Sequence, residues 1–244
     1  MKKGFTLAEV LITLGIIGVV AALTIPTLIQ NANEKATVSR LKKVYSTLSS
    51  AYTLAIQENG TPENWGLTVD GAGAKKFMDM LVPYLSVVAN CDTGGGCFPA
   101  RTFWRDYTYN DLNTVTFIAK AKLNDGTIFF TQISSADCTK VRTDNVQNIQ
   151  LNSACAVLGV DINGSKGPNR ASQDFFYFVA TKYGITPVGT SDEDNNASLV
   201  NKAGFEATCK AGNGGGCTAW VIYNENMDYL KCNNLSWGGP TTCQ

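Results

Sequence analysis

Apolar residues dominate the first thirty positions of the chain and become periodic after that. The run from Phe5 to Ile29 carries a single charged side chain, Glu9, and follows the polar segment Met1 to Gly4. Twenty-five helical residues at about 1.5 Å each extend about 38 Å, which exceeds the roughly 30 Å hydrocarbon core of a bilayer. The pattern predicts a membrane-spanning helix over residues 5–29.

The next segment, residues 30–58, has the pattern of an amphipathic helix that continues the first. Its apolar residues recur three or four positions apart, which places them on one helix face: Val38, Leu41, Tyr45, Leu48, Tyr52 and Ala55. The opposite face is basic, with Lys35, Arg40, Lys42 and Lys43. It is interpreted as exposed to solvent, with contact to lipid headgroups or neighbouring subunits as the alternative. The sequence Asn-Gly-Thr-Pro at 59–62 predicts the end of this helix.

Residues 59–244 are predicted to form a globular head of the α+β class. A second helix is expected over 73–89, with Pro83 as an interruption. The segments 115–123 and 127–133 flank Asn124-Asp125-Gly126, a turn signal that predicts an antiparallel hairpin. Three more segments rich in β-branched and aromatic residues are expected to be strands: 156–161, 175–180 and 219–223. The expected fold is one long amino-terminal helix packed on an antiparallel sheet.

Glu9 needs a partner, because an ionised side chain in a membrane span costs about 3 kcal/mol on insertion scales. The segment from Lys3 to Ile12, KGFTLAEVLI, resembles the processing and assembly motif of type IV prepilins and type II secretion pseudopilins. The resemblance implies that a membrane peptidase cuts between Gly4 and Phe5, removes residues 1–4 as a leader, and methylates Phe5. It also implies that Glu9 neutralises the terminal amine of a neighbouring subunit during filament assembly.

Other features of the span fit the same family. Gly15, Gly18 and Pro26 match its pattern, and the resemblance suggests that they make the helix flexible. Two other interpretations remain open: an ordinary secretory signal cleaved near Ala21-Ala22, and a plain membrane anchor. The acidic residue at the start of the apolar run argues against the secretory signal.

The implied function is that of a structural subunit of a type IV pilus-like filament, polymerised through its amino-terminal helix. Its partners would be other pilin subunits, the prepilin peptidase and an inner-membrane assembly platform. The protein would lie in the cytoplasmic membrane, with the head outside the cytoplasm, before entering the filament. Three alternatives are a secretion pseudopilin, a tip pilin that binds a surface, glycan or DNA, and a secreted soluble protein.

Composition and motifs argue against catalysis. The chain has no His, and 20 basic residues balance 20 acidic ones. Triads that depend on His are therefore excluded, and no net charge attracts nucleic acid. Asp92-Thr93-Gly94 matches an aspartic protease signature, but such a site requires a second carboxylate and the chain has no second copy of the motif. We expect no enzyme activity.

Eight cysteines, all after residue 90, predict disulfides formed outside the cytoplasm. Local pairing is the simplest arrangement, with Cys91–Cys97, Cys138–Cys155, Cys209–Cys217 and Cys232–Cys243, although eight cysteines allow 105 connectivities. A pairing of Cys209 with Cys243 would instead resemble the carboxy-terminal loop of many pilins. Zinc is disfavoured, because no Cys-x-x-Cys spacing and no His is present.

The head offers one weak metal candidate and two aromatic candidates. Asp161 and Asn163, with Asp174 downstream, place oxygen atoms as calcium requires, and some secretion pseudopilins bind calcium in the head. The loop departs from the EF-hand pattern at Lys166 and Ser172, so turns built by Asn, Gly and Pro are the alternative and no cofactor is expected.

Two aromatic groups are candidate glycan or nucleic-acid patches: Trp104, Tyr107 and Tyr109 near Arg101 and Arg105, and Trp220, Tyr223, Tyr229 and Trp237. The acidic run 191–196 is expected to be a solvated loop.

The processing motif predicts the mass of the mature protein. We expect intact-mass measurement to show loss of Met1 to Gly4 and the addition of one methyl group, because the peptidase would act between Gly4 and Phe5. Cleavage near Ala22 would contradict this prediction and select an ordinary secretory signal.

Overall fold

The computed structural model describes residues 6–99, 102–104, 107–140, 152–190, 205–210 and 214–243, with the backbone alone described at 102–104, 107–110 and 206–207. The chain divides into two units, Met1–Ala36 and Thr37–Gln244. The sequence predicted a leader (1–4), an amino-terminal helix (5–58) and a head (59–244). That division is based on processing and helix pattern, whereas the two units are defined by contacts, so it stays a prediction.

A single helix, α1, extends from Leu7 to Asn59. It ends where the Asn-Gly-Thr-Pro sequence predicted, and Gly60 adopts a positive φ of 75° that suits glycine. The helix continues through Pro26 without a break. Because proline has no N–H, the carbonyl of Ala22 receives no helical hydrogen bond from that position.

In the second unit, the face of α1 predicted to be apolar is buried. The buried residues are Val38, Leu41, Val44, Leu48, Ala51, Tyr52 and Ala55. Tyr52 is fully buried and donates from its hydroxyl to the carbonyl oxygen of Thr181 at 2.8 Å. Tyr45 is half-buried, and its ring stacks on Phe178 with the centroids 5.6 Å apart. Each such large side chain contributes about 1.5–3 kcal/mol on burial, so this face attaches α1 to the head.

The described part of the head contains a six-stranded antiparallel sheet and two short α-helices. The sheet has the order β1-β4-β5-β6-β7-β8, and a separate two-stranded ribbon pairs β2 with β3. The elements are β1 (Val87–Asp92), β2 (Thr102–Trp104), β3 (Tyr107–Asn110), β4 (Ala119–Leu123), β5 (Ile128–Ile133), β6 (Ala154–Asp161), β7 (Phe175–Thr181), β8 (Gly184–Pro187), α2 (Gly71–Leu81) and α3 (Thr218–Asn224). The α+β class with a long amino-terminal helix is confirmed.

Most of the predicted strands are present. The hairpin β4–β5 turns at Asn124-Asp125-Gly126, although β4 begins at Ala119 rather than at residue 115. The central strands β6 and β7 are buried along their whole length, because both faces of the sheet are covered. Gly159 on β6 lies opposite Phe130 on β5, where a Cβ atom would come within 2.3 Å of the ring.

Two predicted elements are wrong. The segment 219–223 is part of helix α3, not a strand, and the predicted helix 73–89 stops at Leu81. Pro83 explains the second error, since α2 gives way to a 3₁₀ turn at Val82–Tyr84 and the chain then enters β1. Asp70 caps the start of α2 by accepting a hydrogen bond from the Gly73 backbone N–H at 2.9 Å.

The basic face of α1 is only partly free in solvent. Lys42 pairs with Glu225, and Lys43 pairs with Asp125 at 2.8 Å. The Lys42 and Lys43 side chains remain 44% and 63% exposed, so each pair adds little stability. The pairs do connect α1 to the β4–β5 turn and to the residue after α3.

All four locally paired disulfides are confirmed: Cys91–Cys97, Cys138–Cys155, Cys209–Cys217 and Cys232–Cys243. Lys120 of β4 is fully buried and stabilises the loop that the disulfide Cys91–Cys97 closes. Its ammonium donates to the carbonyl oxygens of Thr93 and Gly94 in that loop and to that of Val115, at 2.7–3.0 Å. Burial lowers the pKa of Lys120. Asp92, in the protease-like triplet, accepts a hydrogen bond from Lys75 at 2.8 Å.

Candidate functional site

The first turn of α1 positions the carboxylate of Glu9. The backbone N–H and the hydroxyl of Thr6 each donate to Oε2 of Glu9 at 2.8 Å, and the Glu9 N–H donates to the Thr6 hydroxyl at 3.3 Å. This reciprocal arrangement is a capping box, which satisfies N–H groups that the start of a helix leaves without partners. The signal was present in the sequence as Thr-x-x-Glu, and the sequence analysis missed it.

Glu9 therefore has a local hydrogen-bonding role and still carries an ionisable carboxylate. Its side chain is exposed in the structure, and Gly4 and Phe5 lie outside the described residues. The capping box holds the carboxylate at the very start of the apolar helix, the end at which the mature amino terminus would lie. The arrangement can present a negative charge to a cation on another molecule.

The residues that follow Glu9 form an apolar surface. The large side chains between Leu7 and Ile29 are between 42% and 79% exposed. Among the described residues, α1 is the one helix long and apolar enough to cross a membrane. The mean hydropathy of its most apolar 18 residues is 2.3, and none of these residues is buried. Thr13 and Thr24 direct their hydroxyls to helix carbonyls, so these polar groups are satisfied within the helix.

The candidates for helix flexibility lie in this exposed surface. A Cβ atom added at Gly15 or Gly18 would meet nothing within 4 Å, so neither glycine is required by packing within the described chain. Pro26 lies inside α1. The proposed roles of these three residues stay predictions.

The described structure thus combines an exposed apolar helix that has a carboxylate at its start with an α+β head. The first 25 residues match the family model described as the prokaryotic N-terminal methylation motif, which is the signature of type IV pilins and pseudopilins. This match supports a type IV pilin-like or pseudopilin protein. The motif implies interaction with pilin subunits and with the prepilin peptidase. It is also consistent with membrane anchoring and filament assembly.

Residues 27–226 match a second family model, the family of unknown function DUF6613. This match covers most of the chain, and the chain belongs to that family. Comparison with curated proteins and with solved structures gave no match.

The loop after β6 brings the three calcium candidates together. Asp161 and Asp174 are almost completely buried, at 0% and 2% exposure. Oδ1 of Asp161 accepts from the backbone N–H groups of Asn163 and Gly164 at 3.1 and 2.8 Å. The two oxygens of Asp174 accept from the N–H groups of Asn169 and Arg170 and from the Asn163 amide, at 2.6–3.2 Å. Five donors therefore already serve these carboxylates.

Asn169 completes the loop. With its amide nitrogen turned inward, it donates to the carbonyl oxygens of Gly164 and Lys166 and to Oδ2 of Asp161, at 2.9–3.1 Å. Oδ1 of Asn163 and Oγ of Ser172 are buried without a hydrogen-bond partner, and such oxygens suit a cation. Among the described residues no cluster of three acidic, cysteine or histidine side chains could hold a metal. The donor pattern favours a loop built by Asx-type turns.

The burial of two neighbouring carboxyls also affects their ionisation. Burial, with the nearby Asp174 charge, raises the pKa of Asp161 to about 8. Burial raises the pKa of Asp174 as well. Both shifts favour the protonated form, because a buried charge without a cationic partner is costly.

The carboxy-terminal aromatic candidates form a core, so that proposed patch is wrong. Trp220 and Tyr229 are 0% and 2% exposed, and the Trp220 ring stacks on Phe205 with the centroids 4.2 Å apart. Trp237 packs against the same rings, and only Tyr223 is largely exposed. The other aromatic candidate involves Arg101 and Arg105, which, like the acidic run 191–196, lie outside the described residues; the side chains of Trp104, Tyr107 and Tyr109 are not described either.

The Asp161 carboxyl predicts a pH dependence of stability. In the folded state the Asp161 carboxyl keeps its proton up to about pH 8, whereas in the unfolded state it loses the proton near pH 3.8. The free energy of unfolding therefore falls as the pH rises between these values. The slope is at most about 1.4 kcal/mol per pH unit. We expect Asp161→Asn to flatten the dependence and to be more stable than the wild type at pH 8, as measured by denaturant unfolding.

Asp79→Asn, which changes an exposed aspartate on α2, is the matched control and should keep the wild-type pH dependence. If the free energy of unfolding of Asp161→Asn changed with pH as that of the wild type does, the raised pKa of Asp161 could not be the cause of the pH dependence.

Proposed function

We propose that this protein is a structural subunit of a type IV pilus-like filament. It is made as a precursor, cut between Gly4 and Phe5, methylated on Phe5 and polymerised through α1. The observation that carries the proposal is the Glu9 carboxylate, which the Thr6 capping box fixes at the start of α1, whose segment up to Ile29 is otherwise apolar and exposed.

The energetics of assembly follow from this arrangement. The exposed apolar residues are stable in lipid, and neighbouring helices in a filament bury them again, so transfer between the two environments costs little. A carboxylate in either environment is unfavourable unless a cation meets it. The amine of a processed Phe5 on an adjacent subunit supplies that cation, and the pairing sets the axial position of one subunit against the next.

The head supports a structural role outside the cytoplasm. Four disulfides require an oxidising compartment, which fits a single-pass precursor in the cytoplasmic membrane with the head on the outer side. We propose a type IV pilus subunit rather than a secretion pseudopilin, because the large, cysteine-rich head exceeds the small heads typical of major pseudopilins. We propose that the protein has no enzymatic activity, because the chain has no His and its one Asp-Thr-Gly triplet has no second copy in the sequence.

Substitutions at Glu9 test the charge pairing. We expect Glu9→Ala and Glu9→Gln to be processed normally but not to polymerise, because both lack the negative charge. Glu9→Gln keeps an oxygen that can accept the Thr6 hydrogen bonds, so it separates the loss of charge from the loss of the cap. Precursor cleavage is read by intact mass, and filaments by shearing and electron microscopy.

The control is Thr6→Ala, which removes the hydroxyl of the capping box and keeps the carboxylate. It costs about 1 kcal/mol of helix capping and should still give filaments. Normal filaments from Glu9→Gln would refute the charge pairing, whatever the control shows.

We propose that the head needs no cofactor, including calcium. Six donors, including the Asn169 amide, serve the oxygens of Asp161 and Asp174, and a cation bound by these carboxylates would compete with them. We therefore expect the unfolding temperature to be the same in calcium and in a chelator. A resident site at a hundredfold excess of calcium over its Kd would instead add about 2.7 kcal/mol of stability. A calcium-dependent rise that Asp161→Asn abolishes would overturn this proposal.

A further inference from the structure

A small cavity in the head lies between the buried half of α1, the β4–β5 turn and the loop after β6. Its volume is about 150 Å³. Three of its lining side chains are cationic and one is anionic, and the lining residues are Arg40, Lys43, Val44, Asp125, Thr127, Ile162, Asn163 and Lys166. The sequence placed Arg40 and Lys43 on the basic face of α1, but Lys166 comes from a loop more than 120 positions away, so only the fold brings these charges together.

The anion that lines the cavity is already paired. Asp125 accepts from the Lys43 ammonium at 2.8 Å, and its other oxygen accepts from the Thr127 backbone N–H at 3.1 Å. Lys43 and Asp125 therefore compensate each other. Within the described part of the chain, neither Arg40 nor Lys166 has a carboxylate within ion-pair distance.

The other carboxylates near the cavity do not compensate these two cations. Asp161 and Asp174 are buried in the adjacent loop, and their hydrogen bonds go to donors of that loop. The cavity consequently presents two uncompensated positive charges, the planar guanidinium of Arg40 from α1 and the ammonium of Lys166 from the loop after β6. A guanidinium and an ammonium that line one cavity suit an anion with several oxygens.

We propose that this cavity binds a phosphate group. At about 30 Å³ for each water in the liquid, its volume corresponds to about five waters, which is enough for one phosphate with residual water. The guanidinium of Arg40 binds two of the phosphate oxygens, and Lys166 contributes a point charge from the loop after β6. A phospholipid headgroup and a free phosphate ester share this chemistry and are the two possible sources.

Binding is tested with the full chain in neutral detergent micelles at constant ionic strength. One arm titrates inorganic phosphate by calorimetry, and the other titrates phosphatidylglycerol in mixed micelles against phosphatidylcholine, whose choline would meet Arg40 and Lys166 with like charge. We expect saturable binding in at least one arm. Binding in the first arm identifies free phosphate as a competent ligand, whereas binding of phosphatidylglycerol alone identifies the headgroup.

The variant Arg40→Gln/Lys166→Gln should weaken that binding about tenfold or more, because it removes both uncompensated charges. The matched control, Lys76→Gln/Lys182→Gln, makes the same change in net charge on α2 and at the β7–β8 turn, and it should bind as the wild type does. Arg40 and Lys166 are both exposed, so the variant is expected to fold, and its unfolding temperature checks this.

Three results would overturn the proposal: no saturable binding in either arm, equal losses in the variant and its control, or equally tight binding of acetate. Equal binding of acetate would indicate that the cations meet an acidic side chain of another protein chain. None of these results bears on processing or on the Glu9 pairing.

Discussion

One continuous helix has to be stable in two different environments, and this constraint organises the protein. In its first part α1 is apolar on all sides and carries one carboxylate, so it is suited to lipid or to other helices. From Val38 onward it is apolar on one side only, and that side is buried with the head. Hydrophobic burial is non-directional, so it determines that both parts are covered but not by which partner. Directional interactions supply that information.

Those directional interactions are few and have identifiable residues. At the start of α1 the Thr6–Glu9 capping box fixes the position of a charge. Further along, the hydroxyl of Tyr52 binds the Thr181 carbonyl at the end of β7, which sets the helix against the sheet. Inside the head, buried Lys120 and the disulfide Cys91–Cys97 hold the loop that follows β1. The buried members of this set, the Tyr52 hydroxyl and the Lys120 ammonium, are satisfied, as burial requires.

Errors in the sequence analysis arose where the local pattern was ambiguous. The run 219–223 is apolar and short, and all of it except Tyr223 is buried. Over so few residues a buried helix and a strand have the same hydrophobic pattern. Packing decided for a helix: the Trp220 ring stacks on Phe205, and the hydroxyl of Thr218 accepts from the Tyr177 N–H. The same packing buries aromatic residues in the core. From the sequence alone, these residues could equally have formed a binding surface. By contrast, the Asp-Gly turn and the local disulfides were predictable, because their geometry involves residues that are near neighbours in the chain.

The sequence alone determined the apolar span, its single carboxylate and the α+β class, and it favoured the local cysteine pairs that the structure shows. These features follow from composition, periodicity or short spacing, which report on interactions between residues close together in the chain. The processing motif was identified by resemblance to prepilins. Only the tertiary structure decided that Asp161 and Asp174 share a buried loop, and that Arg40 and Lys166 face one cavity. Burial and long-range charge contacts depend on which segments pack together, and no local pattern of residues encodes that choice.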